Sequence, residues 1–148
     1  MRIPPGLVFL AAGFLIWGIA RLAPAARIVI PGSRAAAIVL GGIGVALMLL
    51  GIAAFIRART TADPLHPEKA STLVVTGIYR YTRNPMYLGF ALMLLAFVVR
   101  LSAWPAVIVV FLFVAYMNRF QISREEEALE QRFGEGARDY RRSVRRWI

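Results

Sequence analysis

The chain has 148 residues, a formal net charge of +10 and an apolar content of 59%. A water-soluble domain of this length cannot bury so much apolar surface, so the reading is an integral membrane protein organised as one domain, residues 1–148. It holds no cysteine and a single histidine, His66, which excludes disulfides, thiolate zinc sites and thiol nucleophiles and leaves no metal-ligand set.

Arg2, the apolar run behind it and Ala23-Pro24-Ala25-Ala26 imitate a secretory signal with its cleavage site. The sequence begins at Met1 with the run intact, and we read it as the first span. Ile3–Ala20 is apolar for 18 residues and opens on Pro4-Pro5. Proline suits a first helical turn, where its missing N–H has no partner to lose. Arg21, Arg27, Pro31-Gly32 and Arg34 form a short connection, and Ala35–Ile56 is a second span of 22 residues. Ala37/Gly41 and Gly42/Ala46 are spaced four apart. They give this helix a face of small residues on which another backbone can lie closely, within the chain or in a second copy.

Residues 57–85 are the longest polar stretch, with Arg57, Arg59, Asp63, Glu68, Lys69, Arg80 and Arg83 among three prolines. A loop of this length is usually functional. Ser71–Val75 can make a short extended piece, and His66 is given no role. Met86–Met117 is apolar for 32 residues apart from Arg100, which predicts two spans of about 14 and 17 residues joined as a helical hairpin. Ser102 is the predicted cap of the later helix and Pro105 its first turn. From Asn118 the pattern becomes amphipathic, with Ile122, Leu129 and Phe133 on one face and Glu125, Glu126, Glu127 and Glu130 between them. Gly134 and Gly136 are expected to end this helix before a basic tail.

The fold class is therefore all-α and polytopic, with about four transmembrane helices and a cytosolic C-terminal amphipathic helix. Arg2, the long polar stretch and the tail from Arg119 onward hold fourteen Lys/Arg; Arg21, Arg27, Arg34 and Arg100 make four on the other side. The positive-inside bias puts both termini, the polar stretch and the tail in the cytoplasm, in a multi-pass protein of a bacterial inner membrane. The basic balance is read as contact with anionic membrane lipids and not as a nucleic-acid footprint.

Chemistry concentrates where the polar stretch enters the third span. Residues 77–89 read Gly-Ile-Tyr-Arg-Tyr-Thr-Arg-Asn-Pro-Met-Tyr-Leu-Gly. Guanidinium groups at the edge of hydrocarbon are costly unless water or an anion satisfies them. Tyr79, Arg83 and Tyr87 are spaced at one helical turn. Pro85 biases Asn84 away from helical geometry and predicts a turn there, with backbone N–H groups free for a polar ligand. The fork of Arg83 suits a carboxylate. Glu125 and Glu126 follow a span directly, and a carboxylate near low dielectric wants a cation or several donors. The plainer reading of these glutamates is a solvated helix face, and Tyr81, Trp104, Tyr116 and Trp147 read as interface anchors.

The segment Thr72-Leu-Val-Val-Thr-Gly-Ile-Tyr79 followed by Arg83-Asn-Pro-Met-Tyr87-Leu-Gly89 resembles the signature of the integral-membrane methyltransferases. That superfamily includes the isoprenylcysteine carboxyl methyltransferases and the phospholipid N-methyltransferases. Glu125-Glu126, Leu129, Phe133-Gly134, Tyr140 and Val144 agree in order and spacing, so the resemblance covers residues 60–148. It implies S-adenosylmethionine-dependent methyl transfer to a lipophilic small molecule or lipid, at its carboxylate or amine. It implies that Ser71, Thr72, Leu73, Val74 and Tyr79 border the cofactor. Asn84, Pro85, Met86 and Tyr87 would hold its amino-acid end, Arg83 is counted among the cofactor-binding residues, and Glu125 and Glu126 lie beside the cofactor near the ribose or the acceptor. Three positions depart from the pattern. Asn84 stands where many members have histidine, Ala137 where a tyrosine is common, and Gln121 where the eukaryotic carboxyl methyltransferases carry a substrate-binding arginine. Arg119 or Arg124 is the candidate replacement for that arginine. The competing reading is a non-enzymatic small membrane protein that binds anionic lipid or partner helices. A transporter is disfavoured, because no span interior carries a charge.

Overall fold

A computed structural model describes residues 3–60 and 70–148; Arg2 and residues 61–69, which include Asp63, His66, Glu68 and Lys69, lie outside them. The described residues are helical with no strand. Ser71–Val75, a candidate extended piece, is irregular and pairs with nothing as a strand.

Helix α1 spans Pro5–Leu22, with Pro4 as its N-cap and Pro5 in its first turn. The Arg27 guanidinium folds back to donate to the Ala20 carbonyl (Nε 3.1 Å), satisfying one of the carbonyls a helix end leaves without a partner. Helix α2 spans Ser33–Arg57. It ends in a left-handed Arg59 (φ 49°), with Arg59 N–H donating to Ile56 O at 3.1 Å and Thr60 N–H to Phe55 O at 3.2 Å, the paired bonds of a Schellman motif. Helix α3 spans Pro85–Leu101 and ends the same way. Ser102 is left-handed (φ 53°), and Ser102 N–H and Ala103 N–H donate to Val99 O and Val98 O, each at 3.1 Å. Ser102 therefore closes the helix before it and is not the N-cap of the helix after it. Pro105 sits in the opening 3-10 turn of the next segment, Trp104–Ala106, as its fixed φ favours.

The main departure from the sequence reading lies at Asn118. The last apolar span and the amphipathic helix are one uninterrupted helix, α4, Trp104–Phe133. A π-helical stretch at Met117–Ile122 lies in its middle. The change from apolar to charged residues marks a change of surroundings there, and nothing between Asn118 and Ile122 breaks a helix. Gly134 (φ 56°) does end α4. Gly136 does not, and the basic tail forms helix α5, Glu135–Ser143.

Three segments are long and apolar enough to cross a membrane: Pro5–Leu22, Ser33–Arg57 and Trp104–Phe133. The expected fourth, Pro85–Leu101, is apolar but has 17 residues. This short helix is the centre of the molecule. It packs most extensively on α2 and also touches α1 and α4. On the α1 side Phe9 stacks on Phe90 with ring centroids 4.7 Å apart, over a core that includes Ile16, Leu94, Val98, Phe113, Met117 and Ile122. On the α2 side the contact is backbone on backbone. A Cβ on Gly44 would lie 2.7 Å from the Gly89 carbonyl oxygen, so only glycine permits this approach. The small-residue face is rotated from the one read in the sequence. Ala37 is buried and Gly41 faces Ala96, whereas Gly42 has nothing within 4 Å and Ala46 is exposed. The outward residues Leu10, Phe14, Ile38, Val39, Phe111 and Leu112 are exposed apolar groups, as a surface bathed in hydrocarbon requires. This packing brings the C-terminal end of α2, the N-terminal end of α3 and the charged half of α4 to one end of the bundle.

Candidate functional site

A 3-10 turn at Gly77–Arg80 delivers the chain to α3. Asn84 is the N-cap of α3 (φ −131°, ψ 55°), so the helix starts at Pro85 as the proline predicts. Two of the backbone N–H groups expected to be free there are taken. Arg83 N–H donates to Arg145 O at 3.1 Å and Asn84 N–H to Thr82 Oγ1 at 3.2 Å. The Asn84 side chain is not a cap either; its Nδ2 donates to Arg146 O at 2.9 Å. The C-terminal residues Arg145 and Arg146 accept from the Arg83 N–H and from the Asn84 side chain.

Opposite this segment, the π stretch of α4 turns Gln121 and Ile122 inward, where both are buried. Ser123 Oγ donates to Asn118 O at 2.7 Å, supplying a partner to a carbonyl that a π stretch displaces. The two adjacent glutamates then enter different surroundings. Glu125 Oε1 accepts from the Tyr87 hydroxyl at 2.5 Å and from Gln121 Nε2 at 2.5 Å. No cation among the described residues pairs with it. Glu126 is encircled by arginines. Arg146 donates to both its oxygens (Nε 3.1 Å, Nη2 2.6 Å), Arg83 Nη1 lies 2.8 Å away and Arg141 Nη2 3.9 Å away. Arg83 is itself nearly buried, with its side chain 13% exposed. Its Nη1 is close to Glu126 without hydrogen-bond alignment, and its Nε has no hydrogen-bond partner among the described residues. Burial pulls the Arg83 pKa down, and the Glu126 charge opposes that pull. Tyr79 is buried edge-on against Phe55, with centroids 5.5 Å apart. Its hydroxyl is held far above the usual tyrosine range, first by burial and then by Tyr140 and Glu125. Tyr140 donates to the Tyr79 carbonyl at 2.7 Å, fixing α5 over the turn.

These groups line an open-mouthed cavity of about 930 Å³, the solvent-filled mouth included. Of the residues singled out from the sequence, Thr72, Leu73, Val74, Tyr79, Arg83, Asn84, Met86, Tyr87, Glu125 and Glu126 line it. Four do not. Ser71 is exposed, its N–H turned to Thr60 Oγ1 at 2.9 Å. Pro85 is buried toward Gly51 of α2. Arg119 and Arg124 are exposed and off the cavity, because the helix presents Gln121, Ile122, Glu125 and Glu126 inward. Phe55, Ala70, Ile122, Leu129, Tyr140 and Arg141 also line the wall, and so does Ala137 where the family pattern has a tyrosine. Ile122, Leu129 and Tyr140 carried a signal, the apolar face and the matched spacing; Phe55 and Ala70 carried none.

The arrangement suits a small molecule that carries both signs of charge. Among the described residues the buried Arg83 Nε has no acceptor, and a carboxylate met as that side chain turns would provide one. Glu125 offers a carboxylate to a cation or to an N–H. The walls around them, Phe55, Leu73, Val74, Ile122 and Leu129, are apolar and strengthen both interactions by excluding water.

The fold and this cavity define a helical membrane protein with a polar site at one end of its bundle. The chain belongs to the phospholipid methyltransferase family, whose match covers residues 33–136, from the start of α2 into α5. It is also similar to a Haemophilus influenzae protein described as uncharacterized, 46% identical over 66 residues, which are 43% of this chain and all of that protein. No solved structure matches the chain. The protein is thus a membrane methyltransferase by family.

Proposed function

We propose that the chain transfers a methyl group from S-adenosylmethionine to the amine of a lipophilic acceptor, a lipid or prenylated small molecule, at the cytosolic face of the membrane. Residues 1–148 work as one domain, with both termini and α5 in the cytoplasm. The observation that carries this reading is the pairing, in one apolar-walled cavity, of an unpartnered buried Arg83 Nε with a Glu125 that has no cationic partner among the described residues.

The cofactor supplies a methyl group already activated on a sulfonium. The protein's work is therefore alignment and exclusion of water. Arg83 holds the carboxylate of the amino-acid end, with Asn84, Met86 and Tyr87 beside it. Thr72, Leu73, Val74 and Tyr79 form the opposite wall. Glu125 receives the proton that an amine must lose, and Tyr87 and Gln121 fix the orientation of that carboxylate. What supports an amine over a carboxylate acceptor is Gln121 in place of an arginine and the position of Arg119 and Arg124 outside the cavity. The acceptor reaches the site laterally, past apolar side chains exposed toward this end of α2 and α4, Ile52, Ile56 and Phe120.

Calorimetry with S-adenosylmethionine on the detergent-solubilised chain tests the first half of the proposal. Mass spectrometry of a bacterial lipid extract incubated with methyl-labelled cofactor tests the second. Binding heat that Tyr87→Ala abolishes, together with label in an amine-bearing lipid, is expected. A protein that only meets anionic headgroups through its arginines gives neither, and that result ends the proposal.

A further inference from the structure

Beyond α5 the chain turns back on itself. Val144 is extended (φ −123°, ψ 134°). The carbonyls of the next two residues receive the segment that opens α3: Arg145 O accepts from Arg83 N–H, and Arg146 O accepts from Asn84 Nδ2 and from Thr82 Oγ1 at 3.4 Å. Trp147 Nε1 then donates to Asn118 Oδ1 at 2.9 Å, in the π stretch of α4. Four residues thus strap the two halves of the cavity together, and the Arg146 side chain lies between them on Glu126.

The consequence concerns Arg83. A buried carboxylate beside a buried guanidinium normally forms two parallel hydrogen bonds. The side chains of Glu126 and Arg83 are 10% and 13% exposed and 2.8 Å apart, yet Arg83 Nε and Nη1 make no hydrogen bond with any described residue. Both Glu126 oxygens are already held by Arg146, while Arg141 stands farther off at 3.9 Å. We infer that Arg146 is a positioning residue for ligand selection: by holding both Glu126 oxygens it keeps Glu126 from going beyond its single 2.8 Å approach to Arg83 into a two-bond pair, and so leaves that guanidinium able to turn to the carboxylate of the incoming ligand. Without Arg146, Glu126 swings onto Arg83 and closes the carboxylate subsite. The inference rests on the proposed cofactor reading.

The test compares two probes by calorimetry on the full chain in detergent. S-adenosylhomocysteine carries the amino-acid end; 5′-methylthioadenosine has the same nucleoside and sulfur without it. Wild type prefers the first by roughly ten- to a hundredfold, as one strong charge-assisted contact gives. Arg146→Ala is expected to reduce that preference to about threefold or less, mainly by weakening S-adenosylhomocysteine. Arg146→Lys retains part of it. The double variant Arg146→Ala, Glu126→Gln restores it, because the competing charge is gone, and this variant decides the matter if Arg146→Ala alone does not fold. A preference unchanged in Arg146→Ala, or equal weakening of both probes without rescue in the double variant, overturns the inference and leaves Arg146 a plain strap. A wild type that binds neither probe overturns the cofactor reading first.

Discussion

The Gly44–Gly89 crossing offers a sharp test of how this molecule is held together. In Gly44→Ala the new methyl would lie 2.7 Å from the Gly89 carbonyl oxygen, 2.9 Å from Met93 Cγ and 3.2 Å from Met93 N. Met93 Cγ can swing away, but the backbone atoms cannot. Ordinary contact begins near 3.4 Å, so α2 and α3 must part by about 0.7 Å. Overpacking of this kind costs about 1–3 kcal/mol, and the lower chain entropy of alanine offsets only about 0.4–1 kcal/mol. Gly42→Ala lies two residues away with nothing within 4 Å, and is expected to be neutral or stabilising by up to about 1 kcal/mol. Equilibrium unfolding in mixed micelles measures both. Gly44→Ala should also weaken cofactor binding, because α2 carries Phe55 to the cavity wall. Equal effects of the two variants, or a larger loss from Gly42→Ala, would refute the reasoning and show that the outer face holds a partner.

Tyr87→Phe removes the hydroxyl that meets Glu125 at 2.5 Å, and is expected to slow labelled methyl transfer by roughly tenfold to a hundredfold, the effect of one lost buried hydrogen bond to a charge; unchanged turnover speaks against Glu125 as the proton acceptor. Arg83→Ala should weaken S-adenosylmethionine at least about tenfold in calorimetry, with Glu126 still held by Arg146; an unchanged affinity places the carboxylate subsite elsewhere. Trp147→Phe loses the 2.9 Å bond to Asn118, at a cost of about 1 kcal/mol, and should speed hydrogen exchange at residues 82–84 and 145–147; protection that stays the same means the strap is held by other bonds. The chain has no cysteine, so single cysteines report topology directly. Ser143→Cys should react only from the cytoplasmic side and Ala25→Cys only from the other; labelling of both from one side refutes the orientation.

Much of this arrangement is written in local signals. Pro5 and Pro85 mark helix starts because their rings favour a first turn, and the helices begin there. Tyr79, Arg83, Asn84, Met86 and Tyr87, with the pair Glu125-Glu126, line one cavity, as their polarity at a span edge and the family pattern anticipate. What escaped detection has no local cause. The continuation of α4 through Asn118 depends on the absence of a breaker, whereas the eye follows the change in polarity. Ser102 has the chemistry of an N-cap but takes a left-handed C-terminal position, set by which neighbouring carbonyls need donors. The rotation of the glycine face that selects Gly44 over Gly42 is a matter of which side of α2 meets α3, and the glycines alone do not say. The strap is least legible of all. Its bonds join main-chain carbonyls at 145 and 146 to residues more than 60 positions earlier, and a carbonyl carries no side-chain signature.

The central helix is the shortest of those in the bundle. Its 17 residues rise about 25 Å, against the roughly 30 Å thickness of a bilayer's oily layer, while the helices around it are long enough to reach across. Its neighbours leave no residue of α3 but Arg100 exposed, so the shortfall falls at the helix ends, and the threshold at Asn84 is expected to lie below the headgroup level. A headgroup must then dip to reach the mouth of the cavity, and thicker bilayers make that dip deeper. Turnover should fall as acyl chains lengthen, even when the headgroup stays the same.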